Sequence, residues 1–142
     1  MTREAIEALF TARAQLLRRH DSAGLAKAHA ENCIVESPIF GLVRGRAAIE
    51  ESYASLFRAF ADSTFEQEGI VIDEAQDQVV ALFKWHATHT NEMFGIPPSG
   101  RRFTIHGVLV YQLENGHIVH ERRIYDFTGL LIQIGVLKPR PS

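Results

Sequence analysis

Asp126, Arg122 and His106 are the residues whose types and positions could do chemistry in this chain, and a hairpin places them. Two alternating apolar runs, Phe103 to Leu113 and Ile118 to Asp126, are joined through Asn115-Gly116. Asn-Gly is the strongest short hairpin signal, because the tight turn needs positive φ at both central residues. If Glu114 pairs with His117, the register fixes every other opposed pair. Leu113 then faces Ile118, Tyr111 faces His120, Leu109 faces Arg122, Gly107 faces Ile124, and Ile105 faces Asp126. The more apolar face holds Phe103, Ile105, Leu109, Tyr111, Leu113, Ile118 and Ile124, and is expected to look inward with His120, Arg122 and Asp126 on it. The other face holds Thr104, His106, Val108, Val110, Gln112, Val119, Glu121, Arg123 and Tyr125.

A carboxylate at the end of an inward apolar surface requires a partner or a raised pKa. Asp126 is therefore the expected general base or acid, tuned by desolvation. The competing reading is a strand-end aspartate that caps a final helix, since aspartate is a favoured N-cap. Arg122 lies four residues away on the same expected face, roughly 13 Å along the strand. Gly107 interrupts a strand, where glycine often marks a bulge. A bulge there would swing His106 and Thr104 toward Asp126, which makes His106 the second candidate. His86 and His89 differ by three, as do His117 and His120, so neither strand pair shares a face to bind a metal. The GRAAIE start of a helix lacks phosphate-loop spacing, and Cys33 has no local nucleophile signature. No cofactor and no metal are expected.

These residues need elements to hold them. Ile6, Leu9, Phe10, Ala14 and Leu17 recur at helical spacing, with Arg13, Arg18 and Arg19 assigned to the other faces. Asp21-Ser22 offers an N-cap for a second helix over about 23–30, and Cys33 to Glu36 reads as a short strand stopped by Pro38. A third helix is expected over about 46–61, with Ile49, Tyr53, Leu56, Phe57 and Phe60 on one stripe. The period then changes from 3.6 to 2, giving strands over 65–72 and about 79–90, a loop over 91–100, and the hairpin. A short helix over about 128–134 closes the chain. Helices followed by consecutive antiparallel strands are the α+β order. The expected architecture is a curved sheet wrapped around helices, with a pocket lined by Leu17, Tyr53, Phe57, Phe83, Trp85, Leu109 and Ile124.

The 142 residues suit one domain, residues 1–142, and 46% hydrophobic with 23% charged residues is ordinary globular composition. Fifteen basic residues against 17 acidic leave no surplus to neutralise phosphates, so nucleic acid is excluded as an expected partner. A single cysteine excludes a disulfide scaffold. No apolar run reaches the roughly 20 residues of a membrane helix, and the N-terminus has no signal-peptide core. The expectation is a cytoplasmic protein whose partner is a hydrophobic small molecule, with no membrane contact. The outward face carrying Val108, Val110, Val119 and Tyr125 suits a two-fold homodimer interface.

The stretch THTNEMFGIPPSGRRFTIHGVLVYQLENGHIVHERRIYDFTGLLIQIG, from Thr88 to Gly135, resembles the SnoaL-like polyketide cyclases. These belong to the superfamily similar to nuclear transport factor 2, ketosteroid isomerase and limonene epoxide hydrolase. AENCIVESPIFGLVRGRAAIEESY, Ala30 to Tyr53, matches the same superfamily's strand, loop and third helix. The resemblance implies a cone-shaped α+β barrel, three N-terminal helices packed in a curved, mixed, mostly antiparallel sheet, commonly a dimer. It implies a cofactor-independent acid/base enzyme on a hydrophobic carbonyl compound, an aldol-type cyclase or isomerase, with Asp126 matching the single catalytic aspartate. Ser37 stands where ketosteroid isomerases carry their base, Arg13 falls near their tyrosine, and no acid lies around Val108 to Val110. The second aspartate of limonene epoxide hydrolases is missing beside Asp126 and Arg122. A binding protein without chemistry and an epoxide hydrolase-like enzyme are the alternatives.

Overall fold

The computed structural model describes residues 1–139. Helix α1 (Arg3–Arg18) starts at Thr2, whose hydroxyl accepts the Ala5 N–H at 3.1 Å, an N-cap that satisfies one orphan donor. Asp21 caps α2 (Ser22–Lys27) in the same way through Gly24. Strands β1 (His29–Ser37) and β2 (Gly41–Arg44) form a hairpin, and α3 (Arg46–Ala59) follows. Four long strands come next, β3 (Thr64–Asp73), β4 (Gln78–Thr88), β5 (Arg102–Glu114) and β6 (His117–Tyr125), before α4 (Phe127–Gln133).

All six strands make one sheet in the order β2-β1-β6-β5-β4-β3. Only the β1–β6 contact is parallel, and the others are antiparallel. The fold is α+β, with the helices packed against one face of an open, curved sheet. Ile6, Phe10, Leu25, Ile49, Tyr53, Leu56 and Phe57 supply the helical side of the core. Trp85, Phe60 and Phe103 meet edge to face at 4.8–5.5 Å between centroids on the sheet side, a geometry the ring quadrupoles favour.

The element order agrees with the sequence reading, but long-range contacts moved several boundaries. The second helix stops at Lys27 rather than near residue 30. His29 is already strand, because it pairs with Ile118 of β6 and its carbonyl accepts two hydrogen bonds from the Arg46 guanidinium. The short strand over 33–36 is therefore the middle of a nine-residue one. Strand β2 was not foreseen, and Gly41 makes its turn at φ 70°.

The hairpin register holds only at its tip. Asn115 and Gly116 adopt φ 52° and 81°, and Glu114 and Leu113 pair with His117 and Ile118 as expected. Beyond them the register slips: Gln112 pairs with His120, Tyr111 with Glu121 and Leu109 with Arg123. Val119 is the extra residue of a β-bulge, and a one-residue slip exchanges the faces of everything after it. Strand β6 therefore turns Glu121, Arg123 and Tyr125 inward, while His120, Arg122 and Ile124 face out. No bulge occurs at Gly107, which pairs regularly with Phe83 and Tyr125. Its glycine serves packing instead, since a Cβ there would lie 2.5 Å from the Phe83 ring.

Candidate active site

Helix α1 sets the first wall of the site. Ile6, Phe10, Arg13 and Leu17 advance by four, three and four residues, so all fall on one helical face. Arg13 is therefore core-facing and 3% exposed. Its Nη1 donates to the Leu25 carbonyl at 3.2 Å and its Nη2 to the Tyr53 hydroxyl at 3.0 Å. The guanidinium carbon also lies 5.6 Å from the Tyr111 ring centroid. None of these partners carries a full charge.

The opposite wall comes from the slipped half of β6. Glu121 is 1% exposed, and each of its oxygens is engaged. Oε1 meets His29 Nε2 at 2.8 Å, and Oε2 accepts from Arg123 Nε at 2.6 Å. His29 Nδ1 lies 3.1 Å from the Leu25 carbonyl, so both ring nitrogens face oxygen atoms. The Arg123 guanidinium stacks over Tyr53, 4.7 Å from its centroid, and its buried Nη2 has no hydrogen-bond partner among the described residues. Burial alone would push the Glu121 carboxyl up. The Arg123 charge and the His29 hydrogen bond outweigh it and hold the group well below the usual carboxylate range. Burial also raises the Cys33 thiol and the Tyr125 phenol to about 12, so both stay neutral near pH 7.

Between these walls lies a cavity of ≈ 60 Å³, lined by Arg13, Leu17, Tyr53, Leu56, Phe65, Phe83, Trp85, Leu109, Tyr111, Glu121, Arg123 and Tyr125. An adjoining hollow of ≈ 50 Å³ shares Arg13, Leu17, Phe65, Phe83, Leu109 and Tyr111 with it, and adds Phe10, Ala14, Glu66, Gln67 and Ala81. The walls are mostly aromatic and aliphatic, and a few polar groups converge from one side, the usual make-up of a small-molecule site. Those polar groups are chiefly donors. Among the described residues, no three His, Cys, Asp or Glu side chains converge as metal ligands.

The structure disperses the three residues expected to act together. Asp126 is exposed and caps α4, its Oδ1 accepting the Gly129 N–H at 2.8 Å. Arg122 is 58% exposed on the outer face, 3.2 Å from Glu36. His106, 66% exposed, pairs with Glu68 at 2.8 Å on that same outer face. Of the expected pocket residues, Leu17, Tyr53, Phe83, Trp85 and Leu109 line the cavity. Phe57 is buried one layer behind, stacked on Tyr53 and His20. Ile124 is 53% exposed, because the bulge turned it outward. Tyr125, assigned to the outer face, lines the cavity instead.

Sequence reasoning missed Arg13, His29, Glu121 and Arg123. A signal existed for Arg13, which sits in the apolar stripe of its own helix. None existed for the β6 pair without knowledge of the bulge.

Comparison with known proteins places the fold. Residues 7–134 match the family model described as SnoaL-like polyketide cyclase. Aklanonic acid methyl ester cyclase AcmA of Streptomyces galilaeus is 31% identical over 81 residues, which are 54% of this chain and 56% of that protein. The crystal structure of AclR from the same organism superposes with a TM-score of 0.80 at 24% identity, covering 96% of this chain and 88% of its own. TsrD from Streptomyces laurentii gives 0.83 at 20% identity, over 96% and 99% of the two chains. These two likenesses show the fold. Since its match covers nearly the whole length, the chain belongs to the SnoaL-like polyketide cyclase family.

Proposed function

We propose that this protein is a cofactor-independent acid/base catalyst on a hydrophobic, carbonyl-containing small molecule, a cyclase or isomerase of the polyketide type. The observation that carries the reading is Arg123. Its guanidinium is buried in the wall of an aromatic cavity and retains one nitrogen without a partner. A preorganised donor in a low-dielectric wall stabilises an oxygen that becomes negative during reaction. Glu121 is the carboxylate in that wall and is held ionised, so it is the proton acceptor the geometry offers. A carboxylate held this low is a weak base. The fitting substrate is therefore a carbon acid that is already acidic, such as a β-dicarbonyl. Glu121 takes its proton, the enolate oxygen rests on Arg123, and the enolate carbon attacks a second carbonyl of the same molecule. The proton then returns from Glu121 to the new alkoxide.

The test is deuterium exchange next to the carbonyl of 2-tetralone in D₂O, followed by NMR. Exchange faster than in buffer, and slowed by about two to four powers of ten in Glu121→Gln, is the expected result. Binding without any accelerated exchange would favour the second reading, a binding protein without chemistry. One observation speaks for that reading: both Glu121 oxygens are already engaged.

We also propose that two copies pair through the outer face of the sheet. Leu82, Val108 and Ile124 stand in one register row across β4, β5 and β6, and Val71, Val80 and Val110 occupy the row beside it.

A further inference from the structure

The charges around the cavity do not balance. Two guanidiniums, Arg13 and Arg123, share its wall with a single carboxylate, Glu121. That carboxylate is already committed to Arg123 and His29, and Arg13 rests on a carbonyl, the Tyr53 hydroxyl and an aromatic face. Glu66, at the rim of the adjoining hollow, is exposed and meets Lys84 at 3.6 Å on the outer face. Among the described residues, the wall thus carries at least one buried positive charge without a counter-charge, which is costly in a low-dielectric interior. It also carries a guanidinium nitrogen without an acceptor.

We propose that the missing counter-charge is the ligand's own: the cavity takes an apolar ring compound that bears a carboxylate, seated against Arg123. The inference rests on the reading that this cavity is the ligand site, and it names the class of ligand. A carboxylate is ionised at neutral pH without help from the site. Its planar oxygens also suit the guanidinium, and a charge-assisted hydrogen bond is about twice as strong as a neutral one. The ring lies among Phe65, Phe83 and Trp85, across the two adjoining hollows of ≈ 60 and ≈ 50 Å³, which widen to admit it. A neutral ester of the same shape would fill the same space and leave the surplus charge unanswered.

The experiment compares 4-ethylbenzoate with methyl 4-ethylbenzoate, by calorimetry and by the emission of Trp85, the only tryptophan of the chain and a wall residue. Wild type should bind the acid at least about tenfold more tightly than the ester. Arg123→Gln should shrink that preference below about threefold, the acid losing more affinity than the ester. Arg123→Lys keeps the charge beside Glu121 but loses the fork, and guards against a variant that fails to fold. It should bind the acid more weakly than wild type, with an unaltered circular dichroism spectrum. Equal binding of acid and ester by wild type would overturn the proposal and leave the carbonyl reading standing. A preference for the acid that survives in both Arg123 variants would remove Arg123 from it. If neither compound binds or alters Trp85 emission, the proposal and the ligand-site reading fail together.

Discussion

Glu121 is the residue on which the most depends, because the Arg123 guanidinium and the His29 ring are both buried against it. Replacing it by glutamine leaves the Arg123 guanidinium without its counter-charge, and breaking a buried pair in this way costs about 3–5 kcal/mol. Urea unfolding of Glu121→Gln at pH 7 should show a loss of that size. The carboxyl lies lower in the folded chain than in the unfolded one, where glutamate titrates near pH 4.3. Its contribution is therefore complete above that value and fades as pH falls toward the folded pKa. The stability gap between wild type and variant should narrow below about pH 4, and a gap that stays constant to pH 3 would contradict the assignment. Asp126 should behave differently. Asp126→Ala removes a helix cap, worth about 1 kcal/mol, and should leave ligand binding at Trp85 as in wild type. A large change in turnover with intact α4 would restore a role for Asp126 in the chemistry.

At the scale of elements, the fold was legible and the site only half so, and both outcomes trace to β6. Alternation, the Asn115-Gly116 turn and the stripe on α3 are local signals, and they located the strands, the hairpin and most apolar residues of the cavity. The bulge at Val119 is not local. It turns Glu121 inward, where His29 of β1 meets it, so the register is tied to a contact 92 residues apart in sequence. A turn-based register places Glu121 and Arg123 outside and Arg122 inside, with each later residue on the wrong face. Gly107 shows the same limit, since an interior glycine can mean a bulge or close packing, and here Phe83 decides. Gly107→Ala should force the Phe83 ring aside, because the new methyl would stand 2.5 Å from its Cζ and 2.8 Å from the Ile124 carbonyl. Overpacking of this kind costs about 1–3 kcal/mol. The displaced ring should also narrow the cavity, so a lowered melting temperature together with weaker ligand binding is expected. An unchanged melting temperature would mean that the sheet opens more easily here than its packing suggests.

At the scale of the molecule, the sheet has two faces of different character, and the helices cover only one. On the uncovered face, Val71, Leu82 and Ile124 are 60%, 42% and 53% exposed. Leu82 and Ile124 flank Val108 in a single row, and Val71 stands beside it, so the exposed residues form a patch rather than isolated sites. Contiguous apolar surface of this kind marks an interaction site in a protein that stays in solution. The patch has a polar border, with Glu36, His120 and Arg122 on one side and Glu66, Lys84 and His106 on the other. An apolar centre with a charged rim is the anatomy of a protein interface. A two-fold axis through the patch would set it against its own copy. Sedimentation at tens of micromolar, a range in which weak dimers dissociate, should therefore give a dimer for wild type. Ile124→Lys places a charge at the patch centre without touching the cavity wall, and should shift the protein to monomer while Trp85 still reports ligand binding. A monomeric wild type would contradict the pairing, and so would an Ile124→Lys variant that remains dimeric.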